Sequence, residues 1–422
     1  LQQTPPFGSV SDSDMFGDKV LITTDGSFAA VSAPGKKQVD ATVVPDQIQN
    51  GQIYLFERSG LNWSQHSTLQ LPGITDRSIN FGIDFDLSED GTTVAATTKN
   101  DLNGDQGKVY IFQRPVGSSI WAQIDFLFCP DGPNANVNQA VCTLNEDGSD
   151  LVVHWKGFVN KMYYYQRNID SKYILAQVIQ PKSNFGGERQ GNVRMNPSST
   201  HMIFGDRKSP RGYFENFYTD SDQAAAKQLR KKQDLQNITF TGATNTISTT
   251  DVDADFTKVF PENTRVRVAG SSLNDGLYNI TSRSANTLTF AETFASNTTE
   301  SEVQVYLDSV GVAEYFVFFE GQWVTEDIVE ARTQEPEGFG FGASVDINTS
   351  AKLGIAGNNP AFNSISHNVT VAERKRSDWQ RVSTLVPQTP SNIGLQGKND
   401  NFGFGGNAVT TGGTGDLLLI GA

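Results

Sequence analysis

Cysteine is nearly missing from this chain: two residues, Cys129 and Cys142, in 422. That excludes a disulfide framework and any multi-cysteine zinc pattern. The pair reads as two unlinked thiols, with a bridge across one hairpin as the alternative, because both flank a single turn region. Histidine is as sparse. His66, His154, His201 and His367 stand far apart, with no serine, aspartate or cysteine partner at a recognised catalytic spacing. No run of about 18 apolar residues occurs, which removes a membrane-spanning helix. No phosphate-binding glycine loop occurs either, and no window sustains an apolar 3.6-residue period long enough for a long helix. The first residues, Leu1-Gln2-Gln3-Thr4-Pro5-Pro6, carry neither a methionine nor a secretory pattern. The expectation is that a start was removed or that the chain continues a longer one. Positive charge is short as well, with 33 Lys and Arg against 47 Asp and Glu and a net charge of −14. Such a surface repels phosphate, which argues against sequence-specific nucleic-acid binding while leaving room for a channel along which DNA slides without sticking.

What is present in quantity is glycine (39) and phenylalanine (27), the mark of many short strands joined by tight turns. They recur with a period. Phe16-Gly17 is followed nine residues after the Phe by Asp25-Gly26 and then by Phe28 to Pro34. Phe81-Gly82 leads at the same distance to Asp90-Gly91 and Val94 to Thr97. Phe339-Gly340 leads to Asn348 and Leu353 to Gly357, and Phe402-Gly403 to Thr411 and Leu417 to Ala422. Two copies are eroded. One keeps Asp147-Gly148 and Leu151-Val152-Val153; the other keeps Phe185-Gly186, a Pro197-Ser198 turn and Met202 to Gly205. Four of the units then continue with an alternating hairpin that reaches a tryptophan: Gly51 to Arg58 to Trp63, Gly107 to Arg114 to Trp121, Val312 to Phe319 to Trp323, and Ser366 to Arg374 to Trp379.

Four short strands per unit, repeated six times, predict an all-β chain: a β-propeller of six four-stranded blades, or seven if one more follows. Asp-Gly supplies the positive φ of the turn between strands one and two. Small residues of the Ala-Val-Ser-Ala kind let inner strands crowd an axis, and aromatics of the outer strands fill the widening gap between sheets. A single sheet cannot cover both of its faces, so neighbouring blades must. On this plan His154, beside Trp155, is a structural histidine near the end of an inner strand, with a place facing the channel as the alternative. The sixth unit stops after its second strand, so the expectation is that another segment completes the last blade.

One block does not fit the repeat. Residues 219–309 separate the second and third strands of the fourth unit, leaving 1–218 and 310–422 as the two parts of the propeller. The block opens with Asp222 to Lys232, a short helix or charged linker whose cations read as a solvated end. Six short alternating stretches follow, from Ile238 to Tyr306, with turn signals at Asn274-Asp275-Gly276 and Ser284-Ala285-Asn286. They predict a small inserted β-barrel able to serve as an interaction module.

The Phe-Gly, Asp-Gly, Ala-Val-Ser-Ala-Pro order resembles the FG-GAP repeats of integrin α-chain heads and many microbial surface proteins, over nearly the whole chain outside the insertion. The run Asn274-Asp275-Gly276-Leu277-Tyr278-Asn279-Ile280 with Ala285 to Thr289 resembles a small β domain of tailed-phage virion proteins, and phage tail nozzle proteins carry propellers arranged around a DNA exit channel. These resemblances imply a structural virion protein of a phage tail, acting by assembly contacts with other virion proteins in a homo-oligomeric ring. The alternative is a secreted or cell-surface adhesion propeller that binds protein or glycan through its loops.

Chemistry is thinly represented. Calcium in FG-GAP loops needs alternating oxygen ligands and a closing carboxylate. The nearest approaches are Asp86, Ser88 and Asp90 in one loop, where Thr93 and Val94 stand in the closing place, and Asn145, Asp147 and Asp150 in another. Asp101-Leu102-Asn103-Gly104-Asp105 is a third oxygen-rich loop. Plain Asx turns explain all three, so no catalytic residue, cofactor or metal is assigned and the chain is expected not to be an enzyme. Six Asn-X-Ser/Thr sequons, beginning at Asn62, Asn237, Asn279, Asn297, Asn348 and Asn368, are about what chance supplies.

Overall fold

A computed structural model describes residues 14–37, 50–71, 79–99, 107–132, 139–156, 161–181, 191–206, 212–213, 238–250, 255–260, 265–269, 271–300, 303–307, 311–332, 341–357, 369–385, 409–411 and 418–420. The chain is a β-propeller. Blade I consists of β1 (Val20–Ile22), β2 (Phe28–Ala33), β3 (Gln52–Ser59) and β4 (Asn62–Leu69). Blade II is β5 (Phe85–Leu87), β6 (Thr93–Thr97), β7 (Val109–Gln113) and β8 (Ala122–Leu127). Blade III is β9 (Gln139–Leu144), β10 (Asp150–Lys156), β11 (Met162–Arg167) and β12 (Tyr173–Ile179). All three are antiparallel sheets in sequence order.

Blade IV begins with β13 (Gly191–Met195) and β14 (His201–Asp206). β15 (Gly212–Tyr213) follows and runs parallel along the outer edge of this same blade as its fifth strand, and then comes the inserted domain: β16 (Ile238–Thr241), β17 (Thr246–Thr249), a one-turn helix α1 (Phe256–Val259), β18 (Arg265–Ala269), β19 (Gly276–Arg283), β20 (Thr287–Phe290), β21 (Thr299–Glu300) and β22 (Gln304–Leu307). The chain returns with β23 (Val312–Phe319) and β24 (Gln322–Arg332). β14 pairs with β23 without a slip, from His201 opposite Val317 to Asp206 opposite Val312, although the inserted strands lie between them in the chain. Blade V is β25 (Ser344–Ile347), β26 (Leu353–Gly357), β27 (Val369–Lys375) and β28 (Asp378–Leu385); the sixth unit contributes the pair β29 (Val409–Thr411) and β30 (Leu418–Ile420).

Inner strands neighbour one another in blade order, β1 to β5 to β9 to β13 to β25 to β29. Facing sheets share hydrophobic cores. Phe28, Leu55, Phe81 and Phe85 fill the space between blades I and II, and Val153, Trp155, Tyr163 and Ile111 that between II and III. Met162, Tyr164, Phe204 and Trp323 fill III to IV, while Tyr315 stacks on Trp379 at 3.9 Å between IV and V. A strand in the middle of a blade therefore buries both faces, which is why β6 reads Thr-Val-Ala-Ala-Thr with every residue buried and shows no polar alternation.

The motif glycines have steric causes. Gly91 holds φ +66° in the turn between β5 and β6. Gly51, at φ +77°, lies against the backbone of Phe81 in the next blade, where a Cβ would overlap the Phe81 carbonyl. Gly311 meets Phe341 in the same way. That equivalence corrects the register of the fifth copy. Gly342 N–H bonds Gly357 O as Gly82 N–H bonds Thr97 O, so Phe341-Gly342 occupies the motif position. Phe339-Gly340 falls outside the described residues, as do Phe185-Gly186, Phe402-Gly403 and the Asp222 to Lys232 stretch.

The inserted sheet has seven strands in the order β21-β16-β17-β20-β19-β18-β22. Its two edge strands are almost adjacent in sequence: four peptide steps from Glu300 to Gln304 reach at most about 14 Å. A flat sheet of this size would hold its edges about 29 Å apart, so the sheet must curl into a barrel. Phe240, Tyr278, Phe290 and Phe294 pack edge-on and tilted inside it, with centroids 4.8 to 5.7 Å apart.

Candidate functional site

The innermost strand of a blade has one edge with no strand of its own blade beside it, and side chains along it such as Asp84 and Asp86 are buried. Its N–H and C=O groups need partners. The chain supplies them from the preceding blade. Asp84 and Asp86 are two apart on β5 and its approach, so they share a face. Asp84 Oδ2 accepts the Cys142 N–H at 3.0 Å, and Asp86 Oδ2 accepts the Leu144 N–H at 2.7 Å. Thr143 Oγ1 accepts the Met195 N–H at 3.1 Å, and Asn192 donates to the Ala343 carbonyl. Inner strands II, III, IV and V are thus laced together by side chains.

Two cations enter the lacing. Lys19, only 1% exposed, places Nζ 2.7 Å from Asp84 Oδ1, which joins blade I to blade II. Arg194 of β13 reaches back, with Nη1 3.6 Å from Asp86 Oδ1 and 3.5 Å from the Cys142 carbonyl. Burial pulls the Lys19 ammonium below its usual range and Arg194 adds to that, against the attraction of Asp84 and Asp86. Burial works the other way on Asp84, yet Lys19, Arg194 and the hydrogen bond from Lys19 outweigh it and hold the carboxyl below its ordinary value. Lys19 and the Cys142 N–H converge on the Asp84 carboxylate, with Arg194 adding its field, and keep it ionised beside the ammonium. Arg194 is held above its ordinary value: burial opposes it, but Asp86, Asp84 and Asp346 prevail. Glu89 is raised by burial, with Asp86 and Asp346 adding to the rise. Groups from blades I, II, IV and V therefore share one electrostatic environment at the axis, and Asp86, Arg194 and Asp346 occupy the same place in their repeats.

A second ring lies at the turn end of the sheets. Glu89 accepts from Thr24 N–H and Oγ1 at 2.7 and 2.6 Å. Asp90 N–H bonds Glu146 O, Glu146 N–H bonds Pro197 O, and Asn196 Nδ2 bonds Thr349 O. The turns of blades I to V are chained hand to hand. Within blades, the arginine that ends strand three holds the same turn: Arg58 donates to Asp25 O, Arg114 to Gly91 O and Arg167 to Asp147 O, at 3.4, 2.8 and 3.1 Å.

The loop oxygens read as calcium candidates are dispersed over these tasks. Asp86 belongs to the axial lacing. Ser88 donates to Asp90, whose carboxylate also accepts from Thr92. Asn145 accepts the Asp150 N–H, Asp147 accepts the Ser149 N–H, and Asp150 accepts the Tyr164 hydroxyl. Among the described residues no three His, Cys, Asp or Glu side chains gather as a metal site. The Asp101 to Asp105 loop lies outside them. Cys129 and Cys142 are both buried free thiols, and burial raises each above its usual value. His154 packs on Phe204 at 4.9 Å with Nδ1 near the Lys161 carbonyl, within the core between blades III and IV. Among the described residues no helix is long and apolar enough to cross a membrane.

Sequence reading missed Lys19, Asp84, Arg194 and Asp346. The signal was available by aligning the repeats on their turns: Lys19, Asp84, Asn192 and Ser344 form one column, and Asp86, Thr143, Arg194 and Asp346 the next. Charged residues in a column of buried inner-strand positions mark the axis.

No family model matches the chain, and no curated protein matches it. Solved structures do. A candidate 6-phosphogluconolactonase from Bacteroides fragilis is 12% identical, covers 90% of this chain and 85% of its own, and gives a TM-score of 0.37. A periplasmic gluconolactonase from Pseudomonas aeruginosa is 10% identical over 87% and 84%, with a TM-score of 0.33. A candidate 6-phosphogluconolactonase from Bacteroides uniformis is 10% identical over 89% and 92%, at 0.37. The expectation that the chain is not an enzyme is corrected by this finding: neighbours bearing lactonase names leave propeller architecture no ground for excluding catalysis. What the sheets and these neighbours share is the fold, a β-propeller of four-stranded blades.

Proposed function

We propose that the chain is a structural component of a virion, a tail protein of the nozzle kind that works through assembly contacts around a channel, with FG-GAP-like blades as its frame. The observation that supports this most is the inserted barrel. It closes on its own aromatic core and leaves the pairing of β14 with β23 uninterrupted, as befits a module added for contacts and not for the stability of its host. The net charge of −14 suits a wall past which a polyanion moves without sticking. Its partners are other virion proteins and further copies in a ring.

The test is immunogold electron microscopy of purified particles with an antibody against the barrel. Label concentrated at one end of the tail is the expected result. Particles that lack the chain altogether overturn the reading, and binding of the isolated chain to a glycan array would move it to the adhesion class.

A further inference from the structure

In each antiparallel blade the turn between strands three and four lies at the same end as the turn between strands one and two. The chained inner turns put these ends of blades I to V on one face, and Arg58, Arg114 and Arg167 tie the two kinds of turn together. The outer turns of that face share an unusual property. Blade I presents Leu61 (86% exposed), blade II Val116 (89%) and Ile120 (75%), blade III Ile169 (99%) and blade IV Phe319 (60%). Single exposed apolar residues need no explanation, but a knob at the tip of four successive blades on one face is a patterned surface.

Charge on the same face is segregated. Around the knobs of blades I to IV stand exposed Asp25, Glu57, Asp90, Glu146, Asp147, Asp170 and Glu320, against exposed Arg58 and Lys172. Blade V differs: its tip is Lys375-Arg376-Ser377-Asp378, exposed throughout and without a knob, with Lys375 Nζ 3.7 Å from Glu373 and exposed Lys352 in the neighbouring turn. Exposed Lys352, Lys375 and Arg376 outnumber Asp378 there, so an acidic, knobbed arc and a tip with a small excess of cations share one surface. Two copies related by a two-fold axis and facing each other bring the basic tip of each against the arc of the other, which is the self-complementarity an isologous contact requires. The net charge of −14 makes copies repel in general, so a face whose opposite charges can be brought together is favoured for contact.

We infer that the turn face of the propeller pairs with the same face of a second copy of this chain, through the Leu61, Val116, Ile169 and Phe319 knobs and the Lys375-Arg376 tip. The inference stands apart from the virion reading, since it concerns the purified chain alone.

Sedimentation velocity tests it. The wild-type chain should self-associate between about 1 and about 100 µM in low salt, and added salt should weaken the contact. Val116→Asp with Ile169→Asp, both at exposed tips that the fold does not use, should weaken association at least about ten-fold while the far-ultraviolet spectrum stays unchanged. Lys375→Glu with Arg376→Glu should do the same by charge alone. A wild-type chain that stays monomeric over this range overturns the inference. So do variants that associate as tightly as the wild type, which would place the copies' contact elsewhere.

Discussion

The propeller and the barrel inserted in it solve one problem in opposite ways. A blade cannot cover its own faces and borrows from its neighbours: shared cores, chained turns and a charged lacing at the axis. The barrel curls until its edge strands come together and fills its interior with Phe240, Tyr278, Phe290 and Phe294, and its apolar core runs on into Tyr315, Phe341 and Trp379 of blades IV and V. Stability in the ring is therefore collective, and the barrel draws first on side chains of its own. A substitution at the axis should be felt by several blades, whereas one in the barrel should be felt most in the barrel and, through the joined core, in blades IV and V.

Asp84→Asn probes the first half of that contrast with the largest expected effect. It leaves Lys19 buried without its counter-charge, at a cost of about 3–5 kcal/mol. Denaturant unfolding should show the loss, and hydrogen exchange should place it in blades I to III and not in the barrel. The same carboxylate gives the acid response a sign. Its folded value is depressed, so its contribution is present above the unfolded value of about 3.9 and lost as pH falls through the lower folded one. Glu89, raised by burial, acts in reverse and gains as pH falls through its raised value. The wild type should thus lose stability below about pH 4, and Asp84→Asn should lack that part of the slope.

Phe240→Ala attacks the second half. The side chain is buried in the barrel, and its truncation should cost about 3–4 kcal/mol. Exchange should accelerate most for barrel amides and less for blades IV and V, whose apolar side chains join the same core; equal acceleration in blades I to III would show that the two parts unfold as one. Gly51→Ala tests the blade joint. Positive φ and overlap with the Phe81 carbonyl should together cost about 2–3 kcal/mol, read as a lower denaturation midpoint.

Gln177→Ala carries the smallest effect. Its amide accepts the Trp323 N–H at 2.7 Å and donates to the Trp323 carbonyl at 2.9 Å, clamping blade III to blade IV. Its loss should cost about 1 kcal/mol in the same assay, and a change within error would mean that the packed cores hold the joint alone.

That clamp illustrates what a sequence does not disclose. Alternation, Asp-Gly turns and tryptophan spacing suffice to place the hairpins of blades I, II, IV and V, the insertion and all but the shortest barrel strand, because each depends on neighbours in sequence. The pairing of strands three and four slips by one residue at a recurring place: Leu55/Phe56, Ile111/Phe112, Tyr164/Tyr165, Tyr315/Phe316 and Val371/Ala372. This bulge turns the residue after it toward the next blade. There Asp125 accepts the Tyr173 N–H, Gln177 that of Trp323 and Asp327 that of Trp379. A bulge has no composition of its own, so Asp125, Gln177 and Asp327 pass for surface residues until the register is known. Asp86 misled for a related reason. An aspartate beside a turn looks like a loop ligand, and only the packing of β5 on β9 shows its carboxylate serving a neighbouring backbone. The fifth motif was displaced by two residues because Phe-Gly occurs twice in a row from Phe339 to Gly342, and local pattern cannot choose between the copies.

Asp206 and Val312 sit opposite each other on paired strands, about 5 Å apart, although the whole barrel intervenes between them in the chain. The joint is a socket. Whatever folds between those two residues needs only to begin and end at neighbouring points, so the cargo could be exchanged for another domain, and what the wheel would give up is the short edge strand β15 and the apolar join to blades IV and V.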